Sequence, residues 1–204
     1  MMGMSTPYEL TGRTEQKART RNALVDAARE LLASGVTPTV EQAADAAKVS
    51  RTTAYRYFPN QRALIVATLP EVAAPSLLPD PAPDDPALRL QAVAEALTDI
   101  VVEHEPELRA HLRLSLERDG ADGQELPFRT GRAIGWLEEA LEPLRDRMPE
   151  PRLRRLVLAI RSAIGIEALV WLTDVAGLSR EEAADVMRWS AKALLRSALA
   201  EREA

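Results

Sequence analysis

The residues of this chain whose types are hardest to explain as ordinary solvated surface are Arg51, Thr52, Thr53, Tyr55, Arg56 and Tyr57, all within one short stretch. Guanidinium groups fork onto guanine edges or phosphate oxygens, and Thr and Tyr hydroxyls hold a phosphate backbone. Lys48 just before the stretch and Gln61 just after it extend the same chemistry with a charge and an amide donor. The blander alternative is that Arg51 and Arg56 solubilise a surface while Tyr55 and Tyr57 are half-buried packing residues. A second set, His104, Glu107 and His111, could in principle converge on a metal. Its spacing matches no established zinc signature, and the histidines read far better as a helix-break residue and a pocket-lining or surface residue. With no Gly-rich phosphate loop, nucleophile elbow or Cys/His pair, no case for an enzyme arises.

The stretch needs elements to aim it, and the flanking residues supply them. Thr39 and Gln42 have capping-box spacing, which starts a short helix whose apolar positions Val40, Ala43, Ala44 and Ala47 share one face. Glu41 and Asp45 fall on the wet face. The chain turns at Lys48 and Val49, and Ser50 is placed to cap a second helix over Arg51 to Tyr57. Pro59 stops that helix, while Val49, Ala54 and Phe58 pack inward. A two-helix unit of this size can lay its second helix in a major groove.

The segment Val-Ser-Arg-Thr-Thr-Ala-Tyr-Arg-Tyr-Phe-Pro-Asn-Gln-Arg-Ala-Leu, residues 49–64, resembles the recognition segment of TetR-family transcriptional repressors. Upstream, Thr20, Leu24, Ala27, Ala28, Leu31, Leu32 and Gly35 resemble the first helix of that family, so the likeness covers about residues 14–69. It implies a short helix from Asn60 to Leu69, then a divergent helical domain that binds a small ligand and dimerises. Two positions depart from the family pattern. Lys48 stands where the turn usually has glycine, and Gln61, beside Arg62, matches the lysine that contacts phosphate.

Composition agrees with such a division. Residues 1–64 hold nine Lys and Arg against six Asp and Glu, and residues 65–204 seventeen against twenty-five, so a +3 head precedes a −8 body in a chain of net −5. A basic head on an acidic body would meet DNA head first, although +3 alone could be a chance fluctuation. The chain has no cysteine, which excludes disulfides and thiolate chemistry and suits a cytoplasmic setting. Met-Met-Gly-Met-Ser-Thr-Pro lacks the apolar run of a signal peptide. It reads as an arm whose distal Arg13, Lys17, Arg19 and Arg21 either reach phosphates or are simply solvated.

Beyond residue 69, Pro70, Pro75, Pro79, Pro81, Pro83 and Pro86 rule out a continuous helix and mark a domain boundary. Apolar spacing predicts helices from Pro86 to about Glu103, from Pro106 to near Gly120, from about Arg129 to Leu144, from Pro151 to about Ala176, and from a Ser179/Glu182 capping box to the end. The penultimate helix is apolar nearly all round and so must be covered on more than one side. Arg161, Glu167 and Asp174 interrupt it, which excludes a membrane span. Small residues Ala159, Ser162, Ala163 and Gly165 would permit close approach of another helix.

The expected architecture is therefore all-α with about nine helices. Residues 1–13 form a flexible arm, 14–69 a three-helix helix-turn-helix domain with its following helix, and 70–204 a larger helical effector-binding and dimerisation domain. The resemblance implies a homodimer through residues 151–176 and 179–203; the bland alternative is a monomeric core. Two heads about 34 to 36 Å apart would demand a near-palindromic operator. Candidate effector contacts are His104, His111, Phe128, Trp136, Glu167 and Trp171, aromatic or polar residues within apolar helices. Glu167 would need Arg161, an interface partner or a cationic effector to offset its burial. The function expected is a DNA-binding regulator, a repressor released by an unknown small-molecule effector, with no cofactor and no metal. The alternative is a helical interaction protein, metal-binding or not, without sequence-specific recognition of DNA.

Overall fold

The computed structural model describes residues 7–69, 74–117 and 132–200, with side chains from residue 14 onward. Ten α-helices follow one another among these residues, with no strand: α1 Pro7–Ala33, α2 Val40–Ala46, α3 Arg51–Tyr57, α4 Gln61–Thr68, α5 Pro86–Glu103, α6 Glu105–Leu116, α7 Arg132–Ala140, α8 Glu150–Ala163, α9 Ile166–Val170 and α10 Arg180–Ala200. A 3₁₀ turn at Glu142–Leu144 follows α7, and a π-helical turn at Trp171–Val175 follows α9. The all-α expectation holds. The first helix begins at Pro7, so residues 7–13, assigned to a flexible arm, are helical backbone.

The described residues fall into two compact units. One contains α1 to α4 together with α6 from Pro106 onward; the other contains α5 and α7 to α10. α6 thus groups with the head rather than with the rest of residues 70–204. Arg62 of α4 donates from Nη2 to the Glu117 carbonyl just past α6, at 2.9 Å. Local periodicity cannot reveal which unit a helix will join.

In the head, α2 and α3 have seven residues each, far below the length at which a helix stands alone in water. Tertiary packing holds them. Leu24, Val25 and Ala28 of α1 meet Val40, Ala43 and Ala44 of α2, Ala54 of α3, Phe58 and Leu64 in one apolar cluster, with Val49 and Tyr57 against its edge. Removing a large member such as Phe58 would cost about 3 to 5 kcal/mol. At the far end Arg29 Nε donates to the Thr68 carbonyl, 3.2 Å away, and so satisfies an end group of α4.

In the second unit α5 packs on α10 and α7, and α8 packs on α7 and α10. Leu90, Val93 and Leu97 of α5, Leu137 of α7, Leu156 and Ile160 of α8, and Met187 and Leu195 of α10 are buried. Asp85 caps α5 by accepting from the Ala87 amide at 2.8 Å, with Pro86 at the first helical position as expected. The Ser179/Glu182 capping box is present, with Ser179 N to Glu182 Oε2 at 2.8 Å and Glu182 N to Ser179 Oγ at 3.2 Å. The Ser179 amide, and after it the Ser179 hydroxyl, hold the Glu182 carboxyl below its ordinary range.

Two predicted helices are divided. Pro143 ends the α-helical part of the segment expected to reach Leu144, because it lacks the amide that the ladder needs. The helix expected over 151–176 breaks at Ile164 and Gly165, where the chain bends by 40°. Gly165 is buried, and a Cβ there would collide with the Arg161 guanidinium and the Glu167 carboxylate. A side chain there would have to displace the ends of that pair. Among the described residues no single helix is long and apolar enough to cross a membrane; only the bent pair of α8 with Ile166–Val175 meets that test jointly.

Arg89 is the main polar tie in this unit. Its guanidinium donates to the carbonyls of Ala140 at 3.1 Å, Glu139 at 2.7 Å and Pro83 at 3.2 Å, binding the end of α7 to the start of α5. Arg89→Ala strands half-buried carbonyls at a helix end and should lower unfolding stability by about 2 to 3 kcal/mol, read from the urea midpoint at unchanged slope.

Candidate nucleic-acid interface

Three local devices set the attitude of α3. The capping box at α2 forms as expected: Gln42 N donates to Thr39 Oγ1 at 3.2 Å and Thr39 N to Gln42 Oε1 at 2.8 Å. At the other end of α2, Val49 N donates to the Ala44 carbonyl at 2.9 Å and Lys48 N to that of Asp45 at 3.2 Å. This is a Schellman stop, and it requires a left-handed residue at Lys48, whose φ is 55°. Lys48 therefore fills the position where glycine would rest without strain. Ser50 then caps α3 by accepting from the Thr53 amide at 3.2 Å and donates its hydroxyl to Thr53 Oγ1 at 2.9 Å.

The outward side of α3 carries Arg51, Thr52, Tyr55 and Arg56, all exposed, with Lys48 exposed beside them in the turn. Thr53 and Tyr57 are half-buried, Thr53 engaged in the cap and Tyr57 against the head core. The eight sequence-predicted residues are thus divided. Five face solvent, Lys48 among them, as one polar, net-basic surface; two are partly turned inward, and Gln61 is used elsewhere. Its Nε2 donates to the Pro38 carbonyl at 3.0 Å, tying the start of α4 to the α1–α2 loop, while Asn60 caps α4 by accepting from Ala63 N at 2.8 Å.

Two contacts on this surface go beyond what the sequence pattern predicts. Tyr55 Oη donates to Glu41 Oε1 at 2.8 Å, and Arg51 Nη2 lies 3.5 Å from Asp45 Oδ2. The Tyr55 hydroxyl, helped by Thr39 and Arg51, holds the Glu41 carboxyl below its ordinary value, and Glu41 pushes the Tyr55 hydroxyl up. The carboxylate is the form favoured in the fold, so this contact persists above the ordinary Glu range and is lost only as pH falls through the lowered value. The spacing of Glu41 and Asp45 on the wet side of α2 was the available signal. Arg21, also exposed, sits with its guanidinium 5.6 Å from the Phe58 ring centre, which keeps a cation at the end of α3.

Residues 24–68, the span of this head, match the family described as bacterial regulatory proteins, tetR family. The head is a TetR-family domain. That match places the chain among DNA-binding transcriptional regulators, and a TetR head followed by a helical domain is the arrangement observed. One similar solved structure is a SmeT-Triclosan complex, with a TM-score of 0.52 and 16% identity over 88% of this chain and 91% of that one. At that identity the likeness speaks for the fold. No curated protein matches the chain.

The effector candidates lie on several elements and in both units. Trp136 is buried in the second unit, its Nε1 donating to the Pro75 carbonyl at 3.3 Å. Trp171 is 57% exposed. Glu167 lies 3.6 Å from Arg161, the first of the partners expected for it, and is half-exposed. His104 is the half-buried cap residue at the end of α5, whereas His111 is buried on α6, in the head unit. Phe128 lies outside the described residues. Among the described residues no three His, Asp or Glu side chains gather as a metal site requires.

The left-handed Lys48 carries a measurable consequence. A non-glycine residue there costs about 1 kcal/mol or more, partly offset in a glycine variant by extra freedom of the unfolded chain. Lys48→Gly should raise stability by about 0.5 kcal/mol in urea unfolding; a loss of stability would show that the Lys48 side chain itself holds the turn.

Proposed function

We propose that the chain is a ligand-responsive repressor that binds a near-palindromic operator as a homodimer, and that it has no enzymatic role. The observation that carries this reading is the surface of α3: a capped, rigidly seated helix presenting Arg51, Thr52, Tyr55 and Arg56 outward with Lys48 at its entry. In this reading Arg51 forks onto a base edge, Tyr55 and Thr52 hold phosphate, and Arg56 and Lys48 add charge along the backbone. Thr53 and Tyr57 seat the helix, and Gln61 supports α4 rather than gripping phosphate.

The dimer is favoured by apolar surface left uncovered on one chain. Leu158, Trp171, Val175, Val186, Trp189 and Leu199 are all at least 38% exposed. Met187 and Leu195 of α10 are buried in the chain's own core, so α10 is apolar on two sides, one of which needs a second copy. Trp171 fits this interface better than an effector pocket. A twofold pair would place two α3 helices one turn of DNA apart, roughly 34 to 36 Å.

An effector is favoured by the helical second unit and by the likeness in fold to SmeT, a protein solved as a complex with triclosan. His104 and Trp136 are the contacts retained for it. α6 follows α5 directly through His104, yet it belongs to the head unit and is tied to α4 by Arg62. A displacement of α5 on effector binding would thus enter the head along α6 and move α4, at a coupling of about 1 to 3 kcal/mol.

Selection of duplexes from a random pool tests the reading: a palindromic consensus supports it, and salt-sensitive, sequence-blind retention would refute it in favour of a nonspecific interaction module. With the selected duplex, Arg51→Ala should relax preference at one base position at a cost of about 1 to 3 kcal/mol, while Tyr55→Phe should weaken that duplex and its single-base variants alike. Uniform loss in both would remove base reading from Arg51. For the dimer, Trp189→Glu should convert a species of twice the chain mass to the single chain in sedimentation, with the helical spectrum retained. An unchanged mass would exclude the α10 surface as the interface.

A further inference from the structure

Tyr55 and Arg51, the two α3 side chains best suited to hold phosphate and to read a base, are both already engaged by carboxylates of the same head. Glu41 and Asp45 sit four apart on the seven-residue α2, so they project from one face toward α3 like two rungs. The upper rung is the Tyr55 to Glu41 hydrogen bond of 2.8 Å, and the lower is the Arg51 to Asp45 pair at 3.5 Å. By contrast Lys48 and Arg56 form no ion pair among the described residues, so the outward surface divides into engaged and open groups.

We propose that Glu41 and Asp45 are specificity-determining residues, carboxylates that compete with the DNA phosphates for Tyr55 and Arg51. This rests on the DNA-binding reading above. Lys48 and Arg56 are open to any phosphate backbone. Arg51 and Tyr55 leave their carboxylates only where the duplex offers a better acceptor: a guanine edge for the fork, a correctly placed phosphate for the phenol. In the wrong register they stay paired, and two negative charges stand close to the path of the backbone, where like charges penalise poorly fitted complexes.

The strengths of the two rungs suit that role. Asp45 and Arg51 are each 66% exposed, so their pair is weak and opens readily for a base edge. The Tyr55 hydrogen bond has an ionised acceptor and is the stronger one. Glu41 keeps its charge well below neutral pH, since the hydroxyl beside it favours the carboxylate. The head core fixes α2 against α3, so neither carboxylate can simply swing away with its helix.

The test compares Glu41→Gln, Asp45→Asn and the double variant with the unaltered chain on two probes: the duplex selected from the random pool and a scrambled duplex of the same length and composition. Asp84→Asn, which removes the same charge from the second unit, is the control for overall charge. Thermal melting checks that each near-isosteric variant keeps its fold. Affinity of the double variant for the scrambled duplex should rise about three- to tenfold, while affinity for the selected duplex changes less, so the preference narrows by at least about threefold. Asp84→Asn should leave the preference unchanged. In the Tyr55→Phe background, Glu41→Gln should have a smaller effect, because the carboxylate then has no hydroxyl to hold and acts through its charge alone. Equal gains on both duplexes, or an unchanged preference, would overturn the inference while a discriminating unaltered chain leaves the repressor reading intact. An unaltered chain that does not discriminate would overturn both.

Discussion

The small apolar cluster of the head is the constraint on which the rest of the outward geometry of α3 depends. Helices of seven residues have too few internal hydrogen bonds to exist alone, so α2 and α3 acquire both their helicity and their mutual angle from Leu24, Ala28, Val40, Ala44, Ala54, Phe58 and Leu64. Every polar contact on the outward face inherits its distance from that packing. The Tyr55 and Arg51 rungs form because the core holds α2 and α3 side by side, and Ser50 and Lys48 fix how the chain passes between them.

The head was legible in the sequence because its devices are local. A capping box spans four residues, a Schellman stop six, and both operate through backbone groups whose positions the chain itself fixes. Thr39 with Gln42, Ser50, and Ser179 with Glu182 all act where spacing puts them. The rungs on α2 were hidden because a residue on a wet helix face carries no mark of the helix that will lie beside it. The same holds for Gln61, whose amide meets the Pro38 carbonyl only after the α1–α2 loop folds under α4.

The second unit was legible in outline and less so in detail. Helical periodicity identified its helices, but the break falls at a glycine that reads equally well as a small packing residue within a continuous helix. The limit on a side chain there emerges only with the Arg161 guanidinium and the Glu167 carboxylate crossing the place where a Cβ would be. The three tryptophans make the same point. Trp136 is buried beneath Pro75, while Trp171 and Trp189 stand out in solvent, and nothing in their immediate neighbours separates the cases.

The placement of α6 within the head also bears on modularity. The unit that presents α3 is discontinuous along the chain: α5 interrupts it, and its last helix arrives well after Leu69. A graft of residues up to Leu69 onto a foreign sensor would carry the whole outward surface of α3 and leave behind the segment to which Arg62 anchors it. The seam for exchanging heads among regulators of this build therefore does not lie in the proline-rich segment, where composition changes most abruptly; a working chimaera needs its donor to supply two separate stretches of chain.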